Sequence, residues 1–126
     1  MIHSKNTLQK SSEALAQYFQ VPDLMRDLLH QLSKDFNTAQ IPLSLISDRQ
    51  YAFDELCETM EQAIEKHLKV GGTLKNLLIR VDLTEKQIKK NLPKALYSNL
   101  RLLSELIIKR ELQKVVIRHW YRQTSQ

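Results

Sequence analysis

The chain has 126 residues, of which 42% are hydrophobic, and it carries a formal net charge of +5 at pH 7. This length and hydrophobic content are typical of a single domain, residues 1–126, with a core of its own. Only 2 glycines and 3 prolines leave few residues for the many turns of a β-sandwich or barrel. We therefore expect an all-α fold: a single-domain helical bundle of five or six helices with a long C-terminal helix.

Three features of the sequence bear on the compartment of the protein. A single cysteine, Cys57, cannot form an intramolecular disulfide. The first residues, Met1 to Lys5, lack the apolar segment of a secretory signal. No apolar run approaches the roughly 18 residues that a membrane span requires. The sequence predicts a cytoplasmic protein that does not cross a membrane.

Apolar residues spaced three and four apart predict helices along most of the chain. Pro22 suits the first turn of a helix, and the residue before a proline avoids helical geometry, so a new helix should begin there. Asp48 and Thr73 are candidate N-caps, and Gly71 with Gly72 marks a helix end. The predicted helices cover about residues 7–20, 22–36, 48–69, 73–80, 84–91 and 94–121.

The connection between residues 37 and 47 is unusually apolar. It contains Ile41, Leu43, Leu45 and Ile46 beside Pro42. A loop of this composition should not be free in solvent. We expect it to cap one end of the bundle, and a contact between subunits is the alternative.

The last predicted helix has an unusually broad apolar surface. We expect Trp120 to complete the core stripe of this helix and Tyr121 to cover the end of the bundle. Such a surface indicates either a central helix or one partly covered by another subunit. We therefore expect a homo-oligomer, at least a dimer. The apolar stripe consists of Leu96, Leu100, Leu103, Ile107, Ile108, Leu112, Val115, Val116 and Trp120, widened by Leu102, Leu106 and Ile117.

Charge is divided unevenly along the chain. Residues 1–72 contain 7 basic and 10 acidic residues, whereas residues 73–126 contain 12 and 4. Like charges four residues apart repel on a helix, so a row of them should lie against opposite charge. An anion for the basic row could come from the acidic row, a phosphate backbone or a partner protein. The basic ridge is Arg110, Lys114, Arg118 and Arg122, and the acidic row is Asp54, Glu58, Glu61 and Glu65.

Two short predicted helices meet at Asp82 and Leu83, and Thr84 can cap the second. This arrangement, in residues 73–92, resembles the helix-turn-helix element of many DNA-binding regulators, whose second helix enters the major groove. Leu78 stands where a small residue usually lets the helices cross closely, and Asp82 stands where the turn usually has glycine. A structural corner is the alternative interpretation. The resemblance implies nucleic-acid contacts by Lys86, Gln87, Lys89 and Lys90.

Catalytic and metal-binding patterns are absent from the sequence. The four histidines fall on different predicted segments, with no two at a spacing that puts both on one helical face. Cys57 falls on an apolar stripe, as inert buried thiols do. Gly71 and Gly72 lack the lysine spacing of a phosphate-binding loop. We expect no enzyme activity and no cofactor or metal.

Two functions of different class fit these observations. In the first, the protein is a non-enzymatic protein-interaction or self-associating module, in which the basic ridge pairs with the acidic row. In the second, residues 73–126 bind DNA or RNA through the helix-turn-helix-like element and the ridge. We favour the first because the two charged rows have closely similar spacing. Its partner is a second copy of the chain or another protein, and no membrane is involved.

Overall fold

The computed structural model describes residues 17–46, 49–84, 86 and 99–124. All regular secondary structure in these ranges is helical, which confirms the all-α class. They contain four helices rather than the predicted five or six, and the predicted helices 7–20 and 84–91 lie mostly outside the described residues. The four are α1 (Pro22–Thr38), α2 (Phe53–Lys69), α3 (Lys75–Arg80) and α4 (Leu100–Thr124).

The start of α1 is as predicted. Val21 is extended, and Pro22 occupies the first turn of the helix. A backbone N–H in this turn would have no intrahelical acceptor, so the lack of an N–H in proline costs no hydrogen bond. The apolar residues recur at intervals of three and four and form one buried face, which also includes the carboxyl group of Asp35. The buried apolar residues of α1 are Leu24, Met25, Leu28, Leu29, Leu32 and Phe36.

α2 begins later than the sequence predicts. It starts at Phe53, after an extended Ala52 with no side-chain cap, and not near Asp48. The side chain of Tyr51 fixes the preceding segment, because it is buried and its hydroxyl accepts a hydrogen bond from the Ile46 N–H at 3.0 Å. A tertiary anchor thus stands where a local cap was expected. The buried face of α2 consists of Leu56, Cys57, Met60 and Ile64.

α1, α2 and α3 all end in the same backbone motif. The residue that closes each has left-handed geometry: φ is 65° at Gln40, 88° at Gly71 and 62° at Asp82. That residue and the next donate their N–H groups to carbonyls of the last turn, which is the Schellman pattern. The sequence predicts the stop at Gly71. It does not predict the other two, because a side chain is unfavourable in this conformation.

The chain that leaves α1 turns back onto the core. The Ile41 N–H donates to the Phe36 carbonyl at 2.8 Å, and the side chains of Ile41 and Leu43 are buried. The Asn37 side chain holds Leu43 by accepting from its N–H and donating to its carbonyl. The predicted capping role of this connection is confirmed for Ile41 and Leu43, whereas Ile46 is exposed.

α4 connects the other helices. It packs against both α1 and α2, while α3 packs against α1. Trp120 is 68% exposed, so the prediction that it completes the core is wrong, and Tyr121 beside it is 71% exposed. The apolar stripe of α4 therefore divides into a buried part and an exposed end. The buried apolar residues are Leu103, Leu106, Ile107, Ile108, Leu112 and Val115.

The predicted N-cap of α3 is not observed. The helix begins at Lys75, and Thr73 makes no side-chain capping bond to it.

Candidate functional site

The basic ridge begins with Arg110, which ties α4 to the turn after α3. Its Nη2 donates to Asp82 Oδ2 at 2.6 Å. The hydrogen bond and positive charge of Arg110 lower the pKa of the Asp82 carboxyl. The same contact holds the side chain of a residue whose backbone is left-handed, so the ion pair supports the turn.

Lys114, the next residue of the ridge, also has intrachain partners. Its Nζ lies 3.2 Å from Glu111 Oε1 and donates to the Arg80 carbonyl at 3.4 Å. Arg80 is the last residue of α3, where carbonyls lack intrahelical partners and a positive charge is favourable. Lys114 therefore caps α3 from α4.

The far end of the ridge faces α1 and then solvent. Arg118 Nη2 donates to Gln31 Oε1 at 2.9 Å, and the adjacent His119 Nε2 lies 3.0 Å from Asp27 Oδ2. The side chain of Arg118 is nevertheless exposed, and so is that of Arg122. This end of α4 carries positive charge beside the exposed rings of Trp120 and Tyr121.

The acidic row has other partners. Asp54 accepts from Arg101, which also donates from Nε to Glu105 at 2.9 Å, and these two bonds raise the pKa of Arg101. Glu65 pairs with Lys69 at 3.1 Å within α2. The predicted pairing of the basic ridge with the acidic row inside one chain is therefore wrong for Arg110, Lys114 and Arg118, because α4 presents the ridge toward α1 and α3. Glu58 is exposed.

A buried polar cluster, which the sequence pattern did not predict, lies beneath the ridge. Asp35 of α1 and Glu111 of α4 are 1% and 0% exposed. The pKa of Glu111 is raised to about 8, first by burial and then by the neighbouring Asp35, while Lys114 opposes the shift. The pattern contained a sign of this cluster. Asp35 lies three residues after Leu32 on the apolar stripe of α1, and Glu111 lies four residues after Ile107 on that of α4, so each acid stands at a core position.

The thiol of Cys57 is fully buried, and burial raises its pKa to about 12. A thiol in this state is a poor nucleophile. The residues that the structure describes contain no group of three or more His, Cys, Asp or Glu able to hold a metal ion. Nor do they include a helix both long enough and apolar enough to cross a membrane.

The helix-turn-helix-like segment is described only in part. Its first helix is α3, Asp82 forms the turn with φ of 62°, and Lys86 is exposed. The other candidate nucleic-acid contacts, Gln87, Lys89 and Lys90, lie outside the described residues.

Comparison of the chain with protein-family models, curated proteins and solved structures finds no match.

Proposed function

We propose that this protein is a non-enzymatic helical interaction module that associates with a second copy of itself through the exposed end of α4. The supporting observation is the exposure of three large apolar side chains within about one turn: Ile117 at 52%, Trp120 at 68% and Tyr121 at 71%. Clustered aromatic and aliphatic side chains beside arginine are typical of protein interfaces.

The basic ridge has two parts in this proposal. Arg110 and Lys114 make intrachain bonds to the turn after α3 and to its last carbonyl. Arg118 and Arg122 are exposed next to the apolar cluster. We assign the second pair as partner contacts, since arginine is enriched where aromatic residues form an interface.

The acidic row of a second copy supplies the complementary charge. The side chains of Asp54 and Glu65 are 85% and 56% exposed despite their intrachain partners, and Glu58 is exposed as well. In a two-fold dimer, a contact between α4 of one copy and α2 of the other occurs twice. The apolar cluster supplies most of the affinity in this arrangement, and the opposite charges orient the two copies. Arg118 and Arg122 then pair with the acidic row between chains.

The proposal also covers architecture and location. We propose that residues 1–126 form a single domain in which the described helices are arranged as a bundle, and the packing of α4 on both α1 and α2 supports that arrangement. We also propose that the protein is cytoplasmic, because a single cysteine is consistent with a compartment where disulfides are rare.

The oligomeric state tests the proposal. Light scattering on the full chain at tens of micromolar should give a dimer, and the double variant Ile117→Ser, Trp120→Ala should give a monomer. Ile79→Ser is the matched control, because Ile79 is similarly exposed but lies on α3, and it should remain dimeric. A strictly monomeric wild type would overturn the proposal.

Nucleic-acid binding is the second candidate, and the backbone of Asp82 favours it. Its left-handed φ of 62° supplies the turn geometry for which a helix-turn-helix usually has glycine. The carboxylate of Asp82 opposes this function. It is negatively charged, so it would repel phosphate from Arg110, the basic residue that it bonds. The balance of these observations leaves self-association as the preferred function.

A mobility-shift titration at low salt separates the two candidates. Non-specific binders show dissociation constants of roughly 10⁻⁴ to 10⁻⁶ M, so duplex DNA or single-stranded RNA should shift below about 100 μM protein if the second candidate holds. Lys86→Glu and Arg118→Glu should then weaken binding for all sequences, whereas Gln87→Ala should change sequence preference. The absence of any shift would remove the second candidate.

A further inference from the structure

Two carboxyl groups lie side by side in the core. Asp35 comes from α1 and Glu111 from α4, and the two groups are within hydrogen-bonding distance of each other. Two ionised carboxylates at this separation, both withdrawn from water, repel strongly. Such pairs are stable when they share one proton.

The hydrogen bonds indicate which carboxyl group holds the proton. Asp35 accepts at both oxygens, from Gln31 Nε2 at 3.0 Å and from Arg80 Nη2 at 3.3 Å. Glu111 Oε1 accepts from Lys114 Nζ at 3.2 Å. Glu111 Oε2 is buried and has no hydrogen-bond partner among the described residues. An ionised Glu111 would leave this oxygen charged and unpaired, whereas a protonated one becomes a donor.

We propose that Glu111 is protonated in the folded protein and donates its O–H to the Asp35 carboxylate, which makes the contact between α1 and α4 a proton-dependent switch. With the proton in place, the two helices are joined by a buried hydrogen bond. When Glu111 loses the proton, its charge repels that of Asp35, and the contact loosens. The switch acts within one chain and does not depend on self-association.

The cations around the pair do not remove this repulsion. Arg80 of α3 and Lys114 of α4 face the pair, and Arg110 lies next to Glu111 in sequence with its charge directed to Asp82. The side chains of Arg80 and Lys114 are 39% and 27% exposed, whereas the two carboxyl groups are buried. Solvent screens the cations more than the carboxyl groups, so one proton remains favourable.

Proton linkage gives the direction of the pH effect. The pKa of Glu111 rises from its ordinary value of 4.5 to about 8 in the folded protein, first because of burial and then because of Asp35. Between these values the folded state holds one more proton than the unfolded state. The contribution of this group to stability is therefore complete below about pH 4.5 and is lost as the pH rises through 8.

Denaturant unfolding at several pH values tests the switch. The variant Glu111→Gln keeps a donor to Asp35 without a titrating proton. The unfolding equilibrium constant of the wild type, divided by that of Glu111→Gln, should increase about tenfold per pH unit between about pH 5.5 and 7.5. Glu105→Gln is the matched control, because Glu105 lies on the same helix but bonds Arg101, and it should retain the wild-type slope.

A direct titration keeps the proposal testable if Glu111→Gln does not fold. Carbon-13 NMR of the wild-type protein should show the Glu111 carboxyl titrating well above the usual value of about 4.3. Performing both experiments on the background Ile117→Ser, Trp120→Ala separates the switch from self-association. A normal titration of Glu111, or an unchanged pH slope in Glu111→Gln, would overturn the proposal.

Discussion

The two ends of α4 have similar sequence character but different surroundings. Both place apolar residues at helical spacing, yet Ile107 is fully buried and Ile117 is 52% exposed. α4 has 25 residues, whereas α1 and α2 have 17 each, so α4 is longer by about 12 Å at about 1.5 Å per residue. Its last turns nevertheless lie beside α1, because Arg118 bonds Gln31 and His119 lies 3.0 Å from Asp27. Ile117 and Trp120 are exposed at this end, so the stripe there either faces solvent or is covered by a partner.

The largest expected effect comes from truncating the buried part of the stripe. Ile107→Ala should lower the free energy of unfolding by about 2–5 kcal/mol, because it removes apolar contacts and leaves a cavity. Ile117→Ala should change it by less than about 0.5 kcal/mol when both proteins are compared at a concentration too low for self-association. Chemical denaturation of both variants checks the contrast. Equal losses would show that the two ends of α4 contribute alike to the core.

A charge reversal should separate the two parts of the basic ridge. Lys114→Glu should destabilise the protein by about 2 kcal/mol, because it places a third acid beside Glu111 and removes a cation from α3. Arg118→Glu should cost less, about 0–1 kcal/mol, since its side chain is exposed. Denaturation midpoints give both values.

A second charge reversal, Glu61→Lys, tests whether Lys114 contacts the acidic row in addition to its observed intrachain partners. In a monomeric background, adding it to Lys114→Glu should restore no stability, so that the two effects are additive. Restoration by this double variant would place the ridge against the acidic row within one chain, in conflict with the observed bonds to Glu111 and Arg80.

A smaller contrast than that between Ile107 and Ile117 is expected at the turn that Arg110 holds. Asp82→Gly and Asp82→Ala both remove the ion pair. Only glycine, however, adopts the left-handed backbone conformation without the steric cost that a side chain brings. Asp82→Gly should therefore be more stable than Asp82→Ala by about 1 kcal/mol. Thermal or chemical denaturation of the two variants measures the difference. Equal stabilities would mean that the turn relaxes when Arg110 is released.

Much of the fold follows from the sequence because its causes are local. The start of α1 depends on Pro22 and the end of α2 on Gly71, and both are residues with restricted or permissive backbone geometry. The start of α2 does not follow from the sequence, because the anchor that replaces its cap is the buried ring of Tyr51. Asp82 likewise adopts its backbone conformation beside Arg110, a residue distant in the chain.

The candidate site could be predicted only as a pair of charged rows. The four-residue spacing of the basic ridge is a property of one helix, and the sequence reveals it directly. Which partner faces each member depends on how the helices pack, since Asp82 comes from the turn after α3 and Gln31 comes from α1. The acids at core positions, Asp35 and Glu111, were visible as interruptions of apolar stripes, but their proximity was not.

The sequence by itself determined the helical class, the positions of the apolar stripes and the spacing of the charged rows, because period, composition and backbone preference act over a few residues. Tertiary structure decided which part of the α4 stripe is buried, which partners the ridge takes and where two carboxyl groups meet. These depend on the relative lengths and packing of α1, α2 and α4, and burial then raises the pKa of Glu111. Contacts between residues far apart in the chain have no counterpart in local spacing.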